Sequence, residues 1–546
     1  METDPFDAES EILPFCAELW DGEISQVIWE ETYEKFVEKT LALLLALPSD
    51  KKWIVYAHNG GKFDFMFLVH KLRGQVSFKG RGIMLAHIAP HVEIRDSMHI
   101  IPDKLASYKK QAFDYKKLKK NVRHKHRPEI LDYLHSDCVN LHEIVTHFIE
   151  KHGAKLSIGQ AAWSCLKKDY GIETFSEASD TYIRQWYFGG RVECLQGPGH
   201  FQGDYVLEDV NSMYPDRMAH CEHPIGAEFM VRGKGKPPIR QNTVFLEVQC
   251  TNFGALIGRD ENGQLTPNIK RGIFKTTIWE FEAAERLGLI RDITIKTCVD
   301  FHRRSNFAKF VIPRYTERQK IKDRLDTEES LELERDALIL KLEMNNAYGK
   351  GAQNPRKFRE FFYTDLNEHP PGEHCGLLQY RDKDDGIWKL HLEADDFLVW
   401  EKPTQQRRYN NVAMAASITG AARAKLLERL ASAEDAIYCD TDSIICKRTG
   451  TPSSNALGAW KIEKSIDEAL IGGKKLYGYR GPKGETIRSK GGSGLEWHEL
   501  AAIVAGAEIK KGNNAPKFDK VGFQDYVSRT FKLTCPRGYH SRIFDA

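Results

Sequence analysis

The chain has 546 residues, more than one hydrophobic core usually organises, so we expect several domains. Its 79 Lys and Arg against 77 Asp and Glu leave a formal net charge of +2, which excludes a polycationic protein and restricts any nucleic-acid contact to local basic surfaces. Eleven cysteines without a CxxC pair argue against a zinc ribbon or a disulfide framework, and the lack of a long apolar run predicts a cytoplasmic protein without a membrane span.

The first third of the chain has the pattern of short buried strands alternating with helices. Residues 52–57 predict a buried strand, and residues 64–72 and 128–150 predict helices. A strongly basic segment, 109–127, lies between these two helices. We expect a domain boundary near residues 181–190, where helical periodicity ends.

The longer second part of the chain predicts a mixture of helix and strand. Residues 205–210 have the pattern of a buried strand, and 306–350 form a long helical stretch with a break near 326–330. Residues 436–446 predict a hairpin. The glycine-rich segment 472–494 predicts a loop.

The predicted hairpin reads AIYCDTDSIIC, with apolar flanks that enclose an acidic centre. In an extended chain Asp440 and Asp442 point to the same side, because side chains alternate along a strand. Two such carboxylates repel each other unless divalent cations neutralise them, as phosphoryl transfer by two metal ions requires. The alternative is an ordinary hairpin turn capped by Asp and Ser.

A third carboxylate ends the preceding strand, in the segment YVLEDVNSMYP. Asp209 supplies this carboxylate, and the carbonyl of Val210 is a hard oxygen ligand. The flat ring of Tyr214 is suited to form a floor beneath a nucleotide sugar, where it blocks a 2′-hydroxyl. Taken alone, the segment is also consistent with a plain strand and turn.

One stripe of the long helical stretch carries three side chains that suit a nucleotide. Lys341, Asn345 and Tyr348 stand at i, i+4 and i+7 in KLEMNNAYG, hence on one helix face. A lysine pairs with a triphosphate, an amide fixes orientation, and an aromatic ring stacks on a base. The alternative is a polar, solvated helix face.

These three segments follow one another in a known order. DVNSMYP resembles motif A, KLEMNNAYG motif B and YCDTDS motif C of the family B DNA polymerases. The long intervals around them resemble those of the protein-primed branch found in phages with linear genomes, and the chain is most similar to the tectivirus polymerases. The resemblance implies a DNA-directed DNA polymerase that takes a DNA primer-template and dNTPs and uses two Mg²⁺ or Mn²⁺ ions per active site. It also implies a terminal protein as primer, and a monomer that works in the cytoplasm of a phage-infected bacterium.

The same resemblance implies an α/β multidomain fold. A ribonuclease H-like 3′–5′ exonuclease domain covers residues 1–180, and a right-hand polymerase with two terminal-protein-region insertions covers 181–546. The implied divisions of the second part are a palm at about 190–230 and 408–480, a first insertion at about 231–305, fingers at about 306–350, a second insertion at about 351–407 and a thumb at about 481–546.

The resemblance assigns polymerase roles residue by residue. The catalytic carboxylates are Asp209, Asp440 and Asp442, and the metal ligands are Asp209, Val210 and Asp442. The nucleotide-binding residues are Tyr214, Lys341, Asn345, Tyr348 and Arg318. The DNA-binding residues are Tyr187, Gly189 and Gly190 of a YxGG linker, Thr419 and Arg423 of a TxxAR motif, Thr441, and Lys475 and Tyr477 of a KxY element.

The N-terminal third resembles the editing exonuclease of the same family. HNGGKFD matches the second exonuclease motif, and a tyrosine and an aspartate at i and i+4 match the third. The implied catalytic residues are Glu2, Asp64, Tyr133, Asp137 and Lys110, of which Glu2, Asp64 and Asp137 hold metal. The implied contacts to single-stranded DNA are Asn59, Phe63 and Ser97.

The first exonuclease motif is incomplete. It should read Asp-x-Glu-Thr, but the chain begins Met1-Glu2-Thr3, so the Asp would precede residue 1. We expect the strand that carries the motif to be missing and residues 54–56 to lack a neighbour. A misassigned start or truncated gene and a degenerate editing site both explain this. We favour the first, because the other exonuclease residues are intact.

Other functions remain open at this point. A nucleic-acid-primed or primer-independent polymerase of the same family is the nearest alternative. A stand-alone nuclease fits poorly with the incomplete first motif, and an inactive DNA-binding protein fits poorly with a full set of polymerase carboxylates. The basic segment 109–127 is either a solvated face or a surface for DNA or the priming protein.

Overall fold

The computed structural model describes residues 1–5, 12–102, 112–233, 235–404, 410–447, 454–490, 494–520 and 522–535. The helices of this part of the chain are α1 (Tyr33–Leu45), α2 (Arg127–His152), α3 (Ile158–Tyr170), α4 (Glu177–Ile183), α5 (Met213–His220), α6 (Ile278–Arg286), α7 (Ala308–Leu325), α8 (Leu331–Gly351), α9 (Val412–Ser432) and α10 (Trp497–Ala505). The strands are β1 (Glu2–Thr3), β2 (Pro14–Trp20), β3 (Ser25–Trp29), β4 (Trp53–Ala57), β5 (Gly74–Lys79), β6 (Gly82–Ala89), β7 (Val92–Asp96), β8 (Val192–Cys194), β9 (Gly199–Val210), β10 (His223–Pro224), β11 (Met230–Arg232), β12 (Thr243–Asn252), β13 (Gly258–Arg259), β14 (Leu265–Thr266), β15 (Arg271–Thr277), β16 (Ile290–Asp300), β17 (Arg304–Ser305), β18 (Arg359–Asp365), β19 (Glu373–Gly376), β20 (Gln379–Arg381), β21 (Ile387–Glu393), β22 (Phe397–Pro403), β23 (Tyr438–Asp440), β24 (Ser443–Lys447), β25 (Trp460–Gly473), β26 (Leu476–Gly481), β27 (Gly484–Ser489), β28 (Ile509–Asp519) and β29 (Gly522–Phe531).

The largest sheet joins two distant parts of the sequence. Its strand order is β19-β20-β21-β22-β18-β5-β6-β7-β4. β18 pairs antiparallel with β5, with Phe361 opposite Val76, so residues 359–403 continue the sheet that begins in the N-terminal third. Both of these apolar side chains are buried in one shared core.

The N-terminal segment forms a small separate sheet, β1-β2-β3, in which Glu2 pairs with Cys16. The expectation that the first strand is missing is therefore wrong in part, because Glu2–Thr3 does pair as a strand, although this strand has only two residues and lies apart from β4. The expectation for residues 54–56 is also wrong, because β4 pairs in parallel with β7 and Val55 lies opposite Ile94. β4 is an edge strand, and its pairing with β7 provides hydrogen-bond partners for the backbone groups on one of its two sides.

The predicted helix over 128–150 is confirmed as α2, which has proline in its first turn. The predicted helix over 64–72 is wrong, because the segment forms two short 3₁₀ turns, Asp64–Phe67 and Val69–Lys71. Residues 64–69 are all buried, so the segment has no solvent-facing stripe of the kind that stabilises an amphipathic α-helix.

A seven-stranded sheet, in the order β27-β26-β25-β9-β24-β23-β8, forms the centre of the second part of the chain. The predicted strand over 205–210 is the end of β9, and the predicted hairpin over 436–446 is β23–β24. The predicted loop over 472–494 is wrong, because β26 and β27 form a hairpin at the sheet edge. Glycine is needed there for close packing, since a Cβ on Gly481 would lie 2.1 Å from the carbonyl oxygen of Ser465.

Helices pack around this sheet. The predicted break in the long helical stretch is confirmed: α7 ends at Leu325, and Ser330 caps α8 by accepting from the N–H of Leu333. The small side chains of α9 let it lie buried between the sheet and its neighbouring helices. Within the residues described, no helix has the length and hydropathy needed to cross a bilayer.

A four-stranded sheet, β11-β16-β12-β15, lies in the interval between β9 and α7. Helix α6 follows β15 directly and begins with a capping box, in which Thr277 and Glu280 exchange hydrogen bonds. This helix packs on α9 and so connects the interval to the central sheet.

Candidate active site

The acidic residues of the seven-stranded sheet meet where β9 ends and β23 turns into β24. Ser443 lies opposite Asp209 on β9 and opposite Asp440 on β23, so the two aspartates flank one residue. The main-chain N–H of Val210 donates to the carbonyl of Asp442 at 2.9 Å. The structure thus brings together the three carboxylates that the sequence predicted.

The turn between the aspartates is tight. Thr441 has a φ of +64°, and the N–H of Asp442 donates to the carbonyl of Asp440 at 2.7 Å, which is a strained γ-turn. The argument that Asp440 and Asp442 share one extended strand is therefore wrong, although the hairpin itself is confirmed. The N–H of Thr441 donates to the carbonyl of Arg191 at 2.7 Å, and a Cβ on Gly190 would lie 2.5 Å from the Thr441 hydroxyl.

The negative charges of Asp209 and Asp442 are only partly offset by nearby lysines. Burial, together with the neighbouring charges of Asp442 and Glu463, raises the pKa of Asp209 to about 7. Burial also raises the pKa of Asp442 to about 6, with Asp440 and Glu463 as the next causes. Clustered carboxylate oxygens are ligands that a hard divalent cation prefers, and the bound cation would neutralise their negative charge.

Glu463 is a carboxylate that the sequence did not predict. It lies on a bulge of β25, where the register against β9 shifts between Ile462 and Lys464. The extra residue brings Glu463 close enough to Asp209 to raise its pKa. The segment WKIEKS has the pattern of an ordinary strand, so the sequence contains no signal for the bulge.

A group of basic side chains faces the carboxylates. Burial lowers the pKa of Lys322, and the charges of Arg318, Lys461 and Lys341 lower it further. Burial also lowers the pKa of Arg318, whose Nε has no hydrogen-bond partner in the described structure. Like charges held together are suited to a polyanion such as a triphosphate. Lys322 and Lys461 were not predicted from the sequence.

Aromatic rings close the site on one side. The rings of Tyr214 and Tyr348 stack with centroids 4.5 Å apart and an interplanar angle of 27°. Burial raises the pKa of Tyr348, as do the neighbouring hydroxyls of Tyr214 and Tyr187. Asn345, on the same helix, is half-buried. The helix face that carries Lys341, Asn345 and Tyr348 therefore contacts Tyr214, through the ring of Tyr348.

Lys475 contacts the acidic centre directly. Its Nζ donates to both carboxylate oxygens of Asp440, at 2.8 and 2.7 Å, and its main-chain N–H donates to the hydroxyl of Tyr438 at 2.9 Å. The ring of Tyr438 packs on that of Tyr477 at 4.5 Å. The predicted KxY pair thus lies beside the turn at Thr441, with Tyr477 on β26 and Lys475 just before it.

Thr419 and Arg423 of the TxxAR motif are buried, with 2% and 3% of their surface exposed. The Thr419 hydroxyl donates to the carbonyl of Ala416, and Arg423 donates to Glu280 and to the carbonyls of the loop at 187–190. Direct contact of these two side chains with DNA stays a prediction, and in this structure Arg423 supports the loop. Gly189 of the same loop is exposed.

A second acidic cluster occupies the N-terminal part. The amino group of Met1 donates to Asp64 Oδ1 at 3.0 Å, and although burial lowers its pKa, Asp64 and Glu2 raise it to about 11. Burial raises the pKa of Tyr133, as do a hydrogen bond with Tyr115 and the charges of Asp137 and Glu2. Glu2, Asp64, Tyr133 and Asp137 therefore lie near one another, as the sequence predicted.

The predicted single-strand ligands lie around this cluster. Phe63 packs edge-on against Phe67 at 5.1 Å and Phe518 at 6.3 Å, and Asn59 is exposed with a φ of +60°. Ser97 is buried, and its hydroxyl contacts His58 at 3.0 Å and donates to the carbonyl of Ala57 at 3.3 Å. Lys110 lies outside the described residues.

Neither acidic cluster has preformed metal geometry. Among the described residues, no group of three or more His, Cys, Asp or Glu side chains is arranged to hold a metal ion. The argument for metal binding at either site therefore depends on the clustering of several carboxylates, which are oxygen ligands of the kind that divalent cations prefer.

The comparisons with known proteins define the class of protein. Residues 88–436 match the family described as DNA polymerase type B, organellar and viral. The chain belongs to this family. It is 36% identical, over 98% of its length and 97% of the relative, to the DNA-directed DNA polymerase of Enterobacteria phage PRD1. The chain is a DNA-directed DNA polymerase of the phage type, which confirms the predicted resemblance to the tectivirus enzymes.

Solved structures agree on the fold. The Phi29 DNA polymerase complexed with primer-template DNA and incoming nucleotides superposes with a TM-score of 0.67, at 18% identity, over 94% of this chain and 95% of that chain. An orthorhombic crystal form of the same polymerase gives a TM-score of 0.66 at 16% identity and the same coverage. The predicted succession of an exonuclease part and a right-hand polymerase is confirmed as an architecture.

Proposed function

We propose that this polymerase extends a 3′-hydroxyl by two-metal phosphoryl transfer, with Asp209 and Asp442 as the principal metal ligands, joined by the carbonyl of Val210. The convergence of Asp209 with the turn that bears Asp440 and Asp442 carries the proposal, because carboxylates gathered in one place are stabilised by bound cations. The raised pKa values of Asp209 and Asp442 agree with it. Mg²⁺ or Mn²⁺, two ions per site, would supply the positive charge that activates the hydroxyl and stabilises the leaving pyrophosphate.

The chain's own residues prepare the nucleotide for this reaction. Arg318 and Lys341, with the unpredicted Lys322 and Lys461, would bind the triphosphate, since their mutual repulsion is relieved by an anion. Tyr214, stacked on Tyr348, would lie beneath the sugar and exclude a 2′-hydroxyl, and Asn345 would orient the nucleotide. No covalent enzyme intermediate is required.

We propose that the domains correspond to groups of these elements. The seven-stranded sheet with α9 forms the proposed palm, and α7 and α8 form the fingers. The four-stranded sheet with α6 is the first insertion, and the strands β18–β22 that extend the N-terminal sheet are the second. We assign α10 and the hairpin β28–β29 to the thumb. It would begin after β27 and not at about residue 481 as predicted, because β27 pairs with β26 in the seven-stranded sheet. The N-terminal part up to about residue 180 is the exonuclease domain.

The loop at 187–190 is held by Arg423 and, with Thr441, Lys475 and Tyr477, would contact the primer-template next to the carboxylates. Thr419, on the same helix as Arg423, would contribute to primer binding. We further propose that a terminal protein supplies the first hydroxyl and that the enzyme replicates a linear viral or plasmid genome as a monomer in the cytoplasm of the infected host. The two insertions and the likeness to the PRD1 enzyme support this mode of priming.

A direct experiment separates protein priming from the alternative of nucleic-acid priming. The polymerase is incubated with Mg²⁺, a labelled dNTP, a template carrying the genome end and the candidate terminal protein. A covalent nucleotide–protein adduct that withstands denaturation supports protein priming. Extension of oligonucleotide primers with no adduct under the same conditions supports the alternative.

An editing exonuclease is the second proposed activity, and the proximity of Glu2, Asp64, Tyr133 and Asp137 favours it. In this proposal the three carboxylates hold metal, Tyr133 orients the attacking water, and Lys110 assists. Asn59, Phe63 and Ser97 would hold or position the single strand. Without dNTPs, the enzyme should shorten a 5′-labelled primer, and Asp64→Ala with Asp137→Ala should not. Equal shortening by both proteins would disprove the assignment.

Metal binding is tested separately from catalysis. Mn²⁺ titration of the DNA-free enzyme, followed by electron paramagnetic resonance, should show fewer tightly bound ions for Asp209→Asn and Asp442→Asn than for wild type. The exposed Asp467 on β25 provides a matched control, and Asp467→Asn should bind as wild type does. Unchanged Mn²⁺ binding by both active-site variants would remove these two residues as ligands.

A further inference from the structure

A buried ion pair connects the first insertion to the central helix of the polymerase part. Arg423 on α9 and Glu280 on α6 are 3% and 4% exposed. Arg423 Nε donates to Glu280 Oε1 at 2.7 Å, and the second guanidinium nitrogen donates to Oε2 at 2.8 Å. Two parallel bonds fix both the distance and the orientation of the guanidinium.

The remaining donors of Arg423 reach a third element. Its other terminal nitrogen donates to the carbonyls of Phe188 and Gly189, at 2.7 and 2.8 Å. These carbonyls belong to the loop at 187–190, which follows the short turn after α4. One buried side chain therefore holds the loop through two hydrogen bonds, while Glu280 holds that side chain in place.

Close packing fixes Glu280 itself. A Cβ on Gly420 of α9 would lie 2.3 Å from the hydroxyl of Thr277, so the two helices approach here without an intervening side chain. Thr277 caps α6 and exchanges hydrogen bonds with Glu280 in the capping box. The carboxylate consequently has little freedom to follow Arg423 if the helices separate.

The loop also continues into the catalytic turn. Gly190 lies against the Thr441 side chain, and the next carbonyl, that of Arg191, accepts from the N–H of Thr441 at 2.7 Å. Thr441 separates Asp440 from Asp442. The loop at 187–190 therefore lies directly beside the turn that holds the two aspartates.

We propose that Glu280 is a positioning residue for the primer-template. It fixes Arg423, which in turn fixes the carbonyls of Phe188 and Gly189, so that the loop at 187–190 is presented to DNA in one conformation. The inference rests on the proposed DNA-binding role of that loop. A purely structural link between α6 and α9 would not require two of the arginine's donors to bind loop carbonyls.

The test uses Glu280→Gln, which keeps the shape of the side chain and removes its charge. We expect the Kd for primer-template, measured by fluorescence anisotropy without dNTP, to rise about tenfold because a buried guanidinium loses its counter-charge. At saturating DNA, kcat and the KM for dNTP should stay within about threefold of wild type. The variant Arg423→Lys, which cannot form all four bonds, should weaken DNA binding similarly.

The chain offers a matched control on the same two helices. Arg286 on α6 and Glu428 on α9 form a second ion pair, which is exposed and does not involve the loop. Glu428→Gln should leave the Kd for DNA unchanged. If it weakens DNA binding as much as Glu280→Gln does, helix association alone explains the effect, and the positioning role of Glu280 is overturned.

The loop is tested independently with Tyr187→Ala. If this variant binds DNA as wild type does, the proposed role of the loop fails. If it weakens DNA binding while a folded Glu280→Gln protein does not, the role of the loop survives and the inference about Glu280 fails. The double variant Glu280→Gln with Tyr187→Ala should be no weaker than the more affected single variant, because both act through one loop. Independent, additive losses would overturn the inference.

Discussion

Lys475 and Asp440 form a two-point ion pair, with Nζ 2.8 Å from Oδ1 and 2.7 Å from Oδ2. Both oxygens of this carboxylate already accept hydrogen bonds, whereas burial and mutual repulsion raise the pKa values of Asp209 and Asp442. The three aspartates are therefore not equivalent. Asp209 and Asp442 are suited to hold metal, and Asp440 is suited to shape the turn and its charge.

Removing the lysine should impair catalysis more than folding. We expect Lys475→Met to lower the rate of single-nucleotide extension about tenfold, because Asp440 loses its counter-charge beside the reacting groups. Lys447→Met is the matched control, since Lys447 is equally exposed and pairs with Asp435 away from the turn. Equal loss of rate in both variants would contradict a specific role for Lys475.

Substitution of the adjacent glycines Gly189 and Gly190 by alanine should affect stability differently, because only the second has no room for a Cβ. Gly190→Ala should destabilise the protein by about 1–3 kcal/mol and reduce extension, because the new Cβ would lie 2.5 Å from the Thr441 hydroxyl. Gly189→Ala should leave the unfolding temperature unchanged, since its added Cβ would have no described residue other than its chain neighbours within 4 Å. Thermal unfolding and primer extension measure both effects. A stable, active Gly190→Ala protein would show that the loop and the catalytic turn are not tightly packed.

The metal-free enzyme should lose stability as the pH rises. The folded pKa of Asp209 is about 7 and its ordinary value is 3.8, so between these values the folded state binds a proton that the unfolded state has released. Stability therefore falls as the pH increases through this range. In EDTA, we expect Asp209→Asn to raise the apparent Tm at pH 8 by about 1–3 °C relative to wild type, with little change at pH 4.5.

The control for this prediction is Asp204→Asn, an exposed position on the same strand, which should not alter the pH dependence. Mg²⁺ should also reduce the loss of stability in wild type, because it binds the ionised carboxylates. If Asp209→Asn and wild type have the same Tm difference between pH 4.5 and pH 8, Asp209 does not carry the raised pKa.

Tyr214 should control the choice of sugar. We expect Tyr214→Val to improve incorporation of rNTPs relative to dNTPs by at least about tenfold, because the ring stacked on Tyr348 no longer blocks a 2′-hydroxyl. Tyr348→Phe keeps a ring beneath Tyr214 and should retain discrimination. Steady-state kcat/KM for matched rNTP and dNTP pairs decides the question, and unchanged discrimination in Tyr214→Val would exclude this role.

The sequence predicted the parts of the site that are encoded by consecutive residues. Two short segments, one with Asp209 and Tyr214 and the other with Asp440 and Asp442, contain functional side chains that can be recognised from the sequence alone. The helix stripe containing Lys341 was visible for the same reason, because its spacing matches the helical repeat.

The rest depends on contacts between distant residues. Glu463 reaches Asp209 only because β25 has a bulge, and an alternating strand pattern does not encode one. Lys322 on α7 lies close to Lys341 on α8 because the two helices pack against each other. The TxxAR motif was recognised, but the burial of Arg423 depends on Glu280, which is 143 residues away along the chain.

The most direct test of the central claim is Mg²⁺-dependent extension of a labelled primer by Asp442→Asn, with binding of the same primer-template measured in parallel. We expect the extension rate to fall on the order of a thousandfold or more, with the Kd for DNA within about threefold of wild type, because the carboxylate holds metal rather than DNA. A variant that binds DNA and extends the primer at the wild-type rate would contradict the assignment of the two-metal site.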